Sequence, residues 1–165
     1  MLRLSGGGPR PEPAPRYGAY PQPPMGAGHW SVEYEPRPAA VREARAQVRR
    51  QLEGWGLADR GDLVDTAELL VSELATNALL RPHCPGGRGG TPTASRFRLT
   101  LTAAHGVLRC EVEDRERCVP EMGDACGAES GRGMFLVDAL ARRWGCQQDG
   151  VGKTVWFELG TCGCE

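Results

Sequence analysis

Glu68-Leu-Leu-Val-Ser-Glu-Leu-Ala-Thr-Asn-Ala-Leu-Leu80 carries more information than any other stretch of this chain. Leu63, Ala67, Leu70, Leu74 and Ala78 lead into it and step along it at spacings of three and four. That is the period of an α-helix with one apolar face. Glu73 and Asn77 sit one helical turn apart on this otherwise apolar helix. An ionisable group and an amide on a helix built for burial need partners. A hydrated metal ion and the phosphates it carries would satisfy both, which makes the chain readable as a nucleotide-binding protein. Taken alone, the helix admits a second reading, a capping or surface Glu/Asn pair.

Working outward, the helix is expected from about Asp59 to Leu80, closed by Pro82 and Pro85. Upstream, Trp30 to Glu35 alternates as a strand and Pro36 and Pro38 end it. Ala39 to Trp55 reads as an amphipathic helix with Val41, Ala44, Val48, Leu52 and Trp55 inward, stopped by Gly54 and Gly56. Downstream, 85–95 is a Gly/Pro/Thr loop. Strands are expected over Phe97–Ala103 and Val107–Glu113, with Ala104-His-Gly106 as the turn. Asp114 to Glu129 reads as a polar loop. Gly131 to Trp144 reads as a third helix, with Met134, Val137, Leu140 and Ala141 inward. Cys146–Gln148 and Lys153–Leu159 form a last hairpin around Asp149-Gly150. The order strand, two helices, two strands, helix, two strands predicts an α+β two-layer sandwich. Its sheet is mostly antiparallel, with the helices on one face.

Residues 1–28 are rich in Pro, Gly and Arg and poor in large apolar side chains, so they are expected to be a disordered tail. The folded domain is expected over 29–159, with a short C-terminal tail over 160–165. The formal net charge of −1 gives no push toward nucleic acid or an anionic membrane. No apolar run approaches the ~18 residues of a membrane span, and the start shows no hydrophobic signal core. Seven cysteines without a CxxC pair read as free thiols in a reduced, cytoplasmic setting. Lys153 is the sole lysine beside many arginines.

Two familiar phosphate motifs fail. Gly152-Lys-Thr154 has Gln147 where a phosphate loop needs its first glycine, and a strand follows it. Gly131-x-Gly133 has Leu136 where a dinucleotide fingerprint needs its third glycine.

Four separated pieces do line up: Glu73-xxx-Asn77, Asp114 with Pro120 after it, Glu129-Ser-Gly-Arg-Gly-Met134, and Gly152-Lys-Thr-Val-Trp-Phe157. In this order the chain resembles the GHKL ATPase superfamily, which includes gyrase B, histidine kinases and MutL. Within it the chain is most similar to the small bacterial anti-sigma-factor serine/threonine kinases. The resemblance covers about 29–159 and implies the Bergerat-type ATP-binding fold. It implies that Asn77 holds Mg2+ and that Glu73 is the general base. Asp114 would accept a hydrogen bond from the adenine amino group, with Thr154 supporting the same base. Gly131, Arg132, Gly133 and Met134 would form the phosphate-binding turn at the start of the third helix.

The implied function is an ATP-binding, anti-sigma-factor-like regulator that sequesters a sigma factor and phosphorylates an anti-anti-sigma protein. It would touch neither nucleic acid nor membrane. The resemblance also leaves a homodimer through the first strand and helix open. Glu116 near the adenine aspartate, and Arg81 where many relatives carry histidine, depart from the family pattern. They favour the alternative, a non-catalytic partner-binding module with a degenerate nucleotide pocket.

Overall fold

The structure, a computed structural model, describes residues 28–79, 96–114, 133–148 and 152–161. In chain order they form β1 (Gly28–Tyr34), α1 (Ala39–Gly54), α2 (Gly61–Leu79), β2 (Phe97–Ala104), β3 (Val107–Asp114), α3 (Gly133–Leu140), β4 (Arg143–Gln148) and β5 (Lys153–Gly160). The strands make one five-stranded sheet in the order β1-β2-β3-β5-β4. Every neighbouring pair is antiparallel. This is the expected α+β sandwich. The expected loops over 85–95 and 114–129 lie outside the described residues beyond Asp114, as does the Asp149-Gly150 turn.

Strand alternation divides the sheet into two faces. Phe97, Leu99 and Leu101 of β2, Leu108, Cys110 and Val112 of β3, and Phe157 and Leu159 of β5 are all buried in one core with the helices. The other face is polar. It carries the cross-strand bonds His29 Nδ1 to Thr102 Oγ1 at 3.2 Å and Ser31 Oγ to Thr100 Oγ1 at 2.8 Å. The Arg109 guanidinium lies on the Trp156 ring, 3.9 Å from its centroid, and bonds Glu111 at 3.0 Å and Glu158 at 2.9 Å. The Trp156 ring lies against Gly145, its cross-strand partner. A Cβ at residue 145 would come within 2.6 Å of that indole, so only glycine fits there.

α2 is the central helix. Leu63, Ala67, Leu70, Leu74 and Ala78 are buried as expected, and Val64, Val71 and Ala75 are buried as well. The buried face is broad because α2 packs on α1 and also meets α3, β2, β3 and β5. Arg49 of α1 bonds Asp65 at 3.0 Å and Glu68 at 2.6 Å, which marks the side of α2 that meets α1. α1 buries Ala40, Ala44, Val48 and Leu52, while Val41 and Trp55 only rim the core. α1 ends in a Schellman closure. Gly56, at φ +73°, donates to the Glu53 carbonyl, and Leu57 donates to Leu52.

The third helix departs from expectation. It stops at Leu140, and Trp144 belongs to β4, which starts at Arg143 and not at Cys146. Ala141 closes the last helical turn onto Val137, and Arg142 N–H already bonds Glu158 of β5. Helical propensity would allow the helix to continue, but pairing with β5 wins. Val137 is buried, Met134 and Ala141 pack partly on the core, and Leu140, expected inward, is exposed. The Trp144 indole N–H bonds the Asp138 carboxylate at 2.9 Å and fixes the corner. The thiol expectation also needs correction, because Cys146 is disulfide-bonded. Cys110 is free and fully buried, and burial pushes its thiol pKa up, so it acts as a core residue.

Candidate functional site

Glu73 and Asn77 are both half-buried on the C-terminal half of α2. At about 100° per residue, Asn77 projects roughly 180° from Glu68. Since Glu68 faces α1 through Arg49, Asn77 lies on the margin of α2 away from α1, with Glu73 one turn before it. Leu70 and Leu74 flank the pair on the buried side. Each polar group can therefore keep its stem against the core and its head at the rim of the helix layer.

Asp114 is the last residue of β3 and is 4% exposed. It follows Leu108, Cys110 and Val112 in phase, so it lies on the helix-facing side of the sheet. Its cross-strand neighbours are Phe97 on β2 and Lys153 on β5. A carboxylate is rarely this buried unless something of opposite charge or a set of donors addresses it. α2 packs on β3 and β5, so Asp114 and the Glu73–Asn77 helix belong to the same interlayer space. Gly133 opens α3, which packs on α2, and Met134 rests partly on the core. Gly131 and Arg132 lie outside the described residues, as do Arg81 and Glu116.

Thr154, expected to support the adenine, does not share a face of the sheet with Asp114. It pairs with Glu113 and with Gln147, which puts it on the polar face, opposite to Asp114. The β5 residue on Asp114's face at that level is Lys153. The segment Val155-Trp-Phe157 is apolar at every position, so its phase is not legible in the sequence. Only the strand register shows that Trp156 faces away from the helices under Arg109. The one sequence signal at Lys153 is that it is the sole lysine, which by itself points to no role.

Among the described residues, no three His, Cys, Asp or Glu side chains gather into a metal cage. No helix of the described residues is long and apolar enough to cross a membrane. A cavity of about 540 Å³ opens at the other end of α2, lined by Asp62, Thr66, Leu140 and Leu159 among others, and no expected site residue lines it.

An open sheet under a central helix, with a buried aspartate at a strand end and a Glu/Asn pair on the helix, describes a class of nucleotide-handling sandwich domains. The profile of the histidine kinase-like ATPase domain matches residues 34–159, and the chain belongs to that family. Among solved structures, that of the RsbU and RsbW domains of Rv1364c from Mycobacterium tuberculosis matches with a TM-score of 0.55 at 20% identity. The match covers 79% of this chain and 32% of that one, and the likeness is one of fold. A search of curated proteins returned no match.

Proposed function

We propose that this chain binds Mg-ATP between the sheet and α2 and acts as an anti-sigma-like protein serine/threonine kinase. The observation that carries the reading is the burial of Asp114 on the helix-facing side of β3, in a chain of the histidine kinase-like ATPase family. A carboxylate there is an acceptor suited to an amino group on a purine base. The resident residues also fit the metal. A magnesium ion that arrives on phosphates keeps most of its waters and needs few protein oxygens, one of which the Asn77 carbonyl can supply without a cage. When bound, the ion neutralises phosphate charge during phosphoryl transfer.

The chain's own residues divide the remaining work. Asp114 orients the base. The backbone N–H groups at the start of α3, with Gly131 and Arg132 before it in sequence, hold phosphate oxygens. Glu73 accepts the proton of a partner's serine or threonine hydroxyl as that oxygen attacks the terminal phosphorus and ADP leaves. The partner would be an anti-anti-sigma protein, whose docking the added charge breaks. A sigma factor would be the protein sequestered. The similar solved structure, which joins an RsbU to an RsbW domain, supports a place in regulation of this type.

The test is calorimetric titration of ATP with magnesium on the native chain, on Asn77→Ala and on Glu73→Ala. Native binding that is lost in Asn77→Ala and largely kept in Glu73→Ala is expected. Transfer of labelled phosphate to a partner should vanish in Glu73→Ala. Full transfer by that variant would remove Glu73 from the role of base. ATP binding without transfer by the native protein to any anti-anti-sigma candidate would favour the non-catalytic module.

A further inference from the structure

The Asp114–Lys153 cross-strand pair is a feature that neither the family match nor the sequence motifs assign. In an antiparallel ladder, directly opposed residues point to the same face, with Cβ atoms about 4.5–5.5 Å apart. The register Val112↔Val155, Glu113↔Thr154, Asp114↔Lys153 runs without interruption. Val112 and Val155 both belong to the helix-facing side, one buried and the other packed against the core. The next pair on that face is therefore a carboxylate beside an ammonium. Lys153 is half-buried and is the sole lysine in a chain that otherwise uses arginine. A lysine stem can lie along the apolar layer while its head stays at the pocket rim.

We propose that Lys153 is a specificity residue of the nucleotide pocket, donating a hydrogen bond to a purine ring nitrogen beside the amino group that Asp114 accepts from. This rests on the nucleotide reading above. The chemistry is a matched pair. Adenine presents an amino donor flanked by ring-nitrogen acceptors, and the strand ends present an acceptor and a donor side by side. Asp114 alone would read the amino group. Asp114 with Lys153 reads the amino group together with its neighbouring acceptor, which rejects a base lacking either. The ammonium also supplies positive charge next to a buried carboxylate.

The test uses ATP, 1-deaza-ATP and 7-deaza-ATP, which lack one or the other ring nitrogen, titrated calorimetrically into the full chain and into Lys153→Met and Lys153→Thr. The second variant keeps a good strand residue if the first fails to fold, and circular dichroism checks both. The native protein should bind one deaza analogue about tenfold more weakly than ATP, in line with loss of a charge-assisted bond. Both variants should bind ATP about tenfold more weakly and should no longer distinguish it from that analogue. Variants that bind ATP like the native chain would overturn the proposal. So would variants in which ATP and both analogues weaken equally, because Lys153 would then act on phosphate or on charge alone. Both results would leave the nucleotide reading standing. Absence of ATP binding by the native protein would instead sink the nucleotide reading, and this inference with it.

Discussion

Replacing Asp114 by asparagine separates binding from folding at the most buried polar position of the site. The side chain keeps its size and one acceptor oxygen but loses its charge. Asp114 is 4% exposed, so a hydrogen bond it accepts from a ligand is made with little water in competition. A bond to a charged group contributes about 1.5–3 kcal/mol. At about 1.4 kcal/mol per tenfold, Asp114→Asn should weaken ATP by roughly 10- to 150-fold. The fold should not suffer in proportion, because an amide is easier to bury than a carboxylate. Isothermal calorimetry reads the first quantity and thermal unfolding without nucleotide reads the second. A purine riboside triphosphate lacking the amino group completes the cycle. It should bind the native protein more weakly than ATP does, and Asp114→Asn should distinguish the two ligands less than the native chain does, because the amide oxygen still accepts but without the charge. Native-like ATP affinity in a folded Asp114→Asn protein would refute the assignment. An analogue without the amino group that binds the native chain as tightly as ATP would do the same.

Three further outcomes concern the scaffold. Arg109→Ala removes the cation over Trp156 and leaves Glu111, 8% exposed, without that partner, so unfolding in urea should show a loss of about 3 kcal/mol. Gly145→Ala places a methyl against the Trp156 indole and should cost about 1–3 kcal/mol, while Gly145→Ala in a Trp156→Ala background should cost much less. Tyr34 stacks on Phe97, and burial, aided by the nearby Glu43 charge, pushes its hydroxyl up to about 12. The folded state then holds this proton more tightly than the unfolded chain, whose tyrosine titrates near 10. The stability that Tyr34 contributes is complete below pH 10 and is lost as pH rises toward 12. Tyr34→Phe should flatten that loss in denaturant midpoints measured across this window.

Most of the architecture could be read from the chain because its helices and strands differ in period. The row Leu63, Ala67, Leu70, Leu74, Ala78 repeats as only a helix does, and every one of those residues is buried. Glu73 and Asn77 stand out against that row, so the helical half of the candidate site is legible in the residues themselves. Asp114 is visible as a strand-end acid, and its family pattern supplies a role. Other features depend on contacts between segments distant in sequence. Trp144 leaves the expected third helix because Arg142 and Arg143 find hydrogen-bonding partners on β5, and local propensity does not contain that choice. The faces of Thr154 and Lys153 were not legible because Val155, Trp156 and Phe157 are all apolar, so hydrophobicity carries no phase. One residue of register moves a side chain to the opposite face of a sheet. The central helix and the placing of the Glu73–Asn77 pair on it were determined by the sequence, through periodicity and residue type. Which strand residue stands beside Asp114 was decided only when β5 paired with β3, because backbone hydrogen bonding across the sheet sets the register.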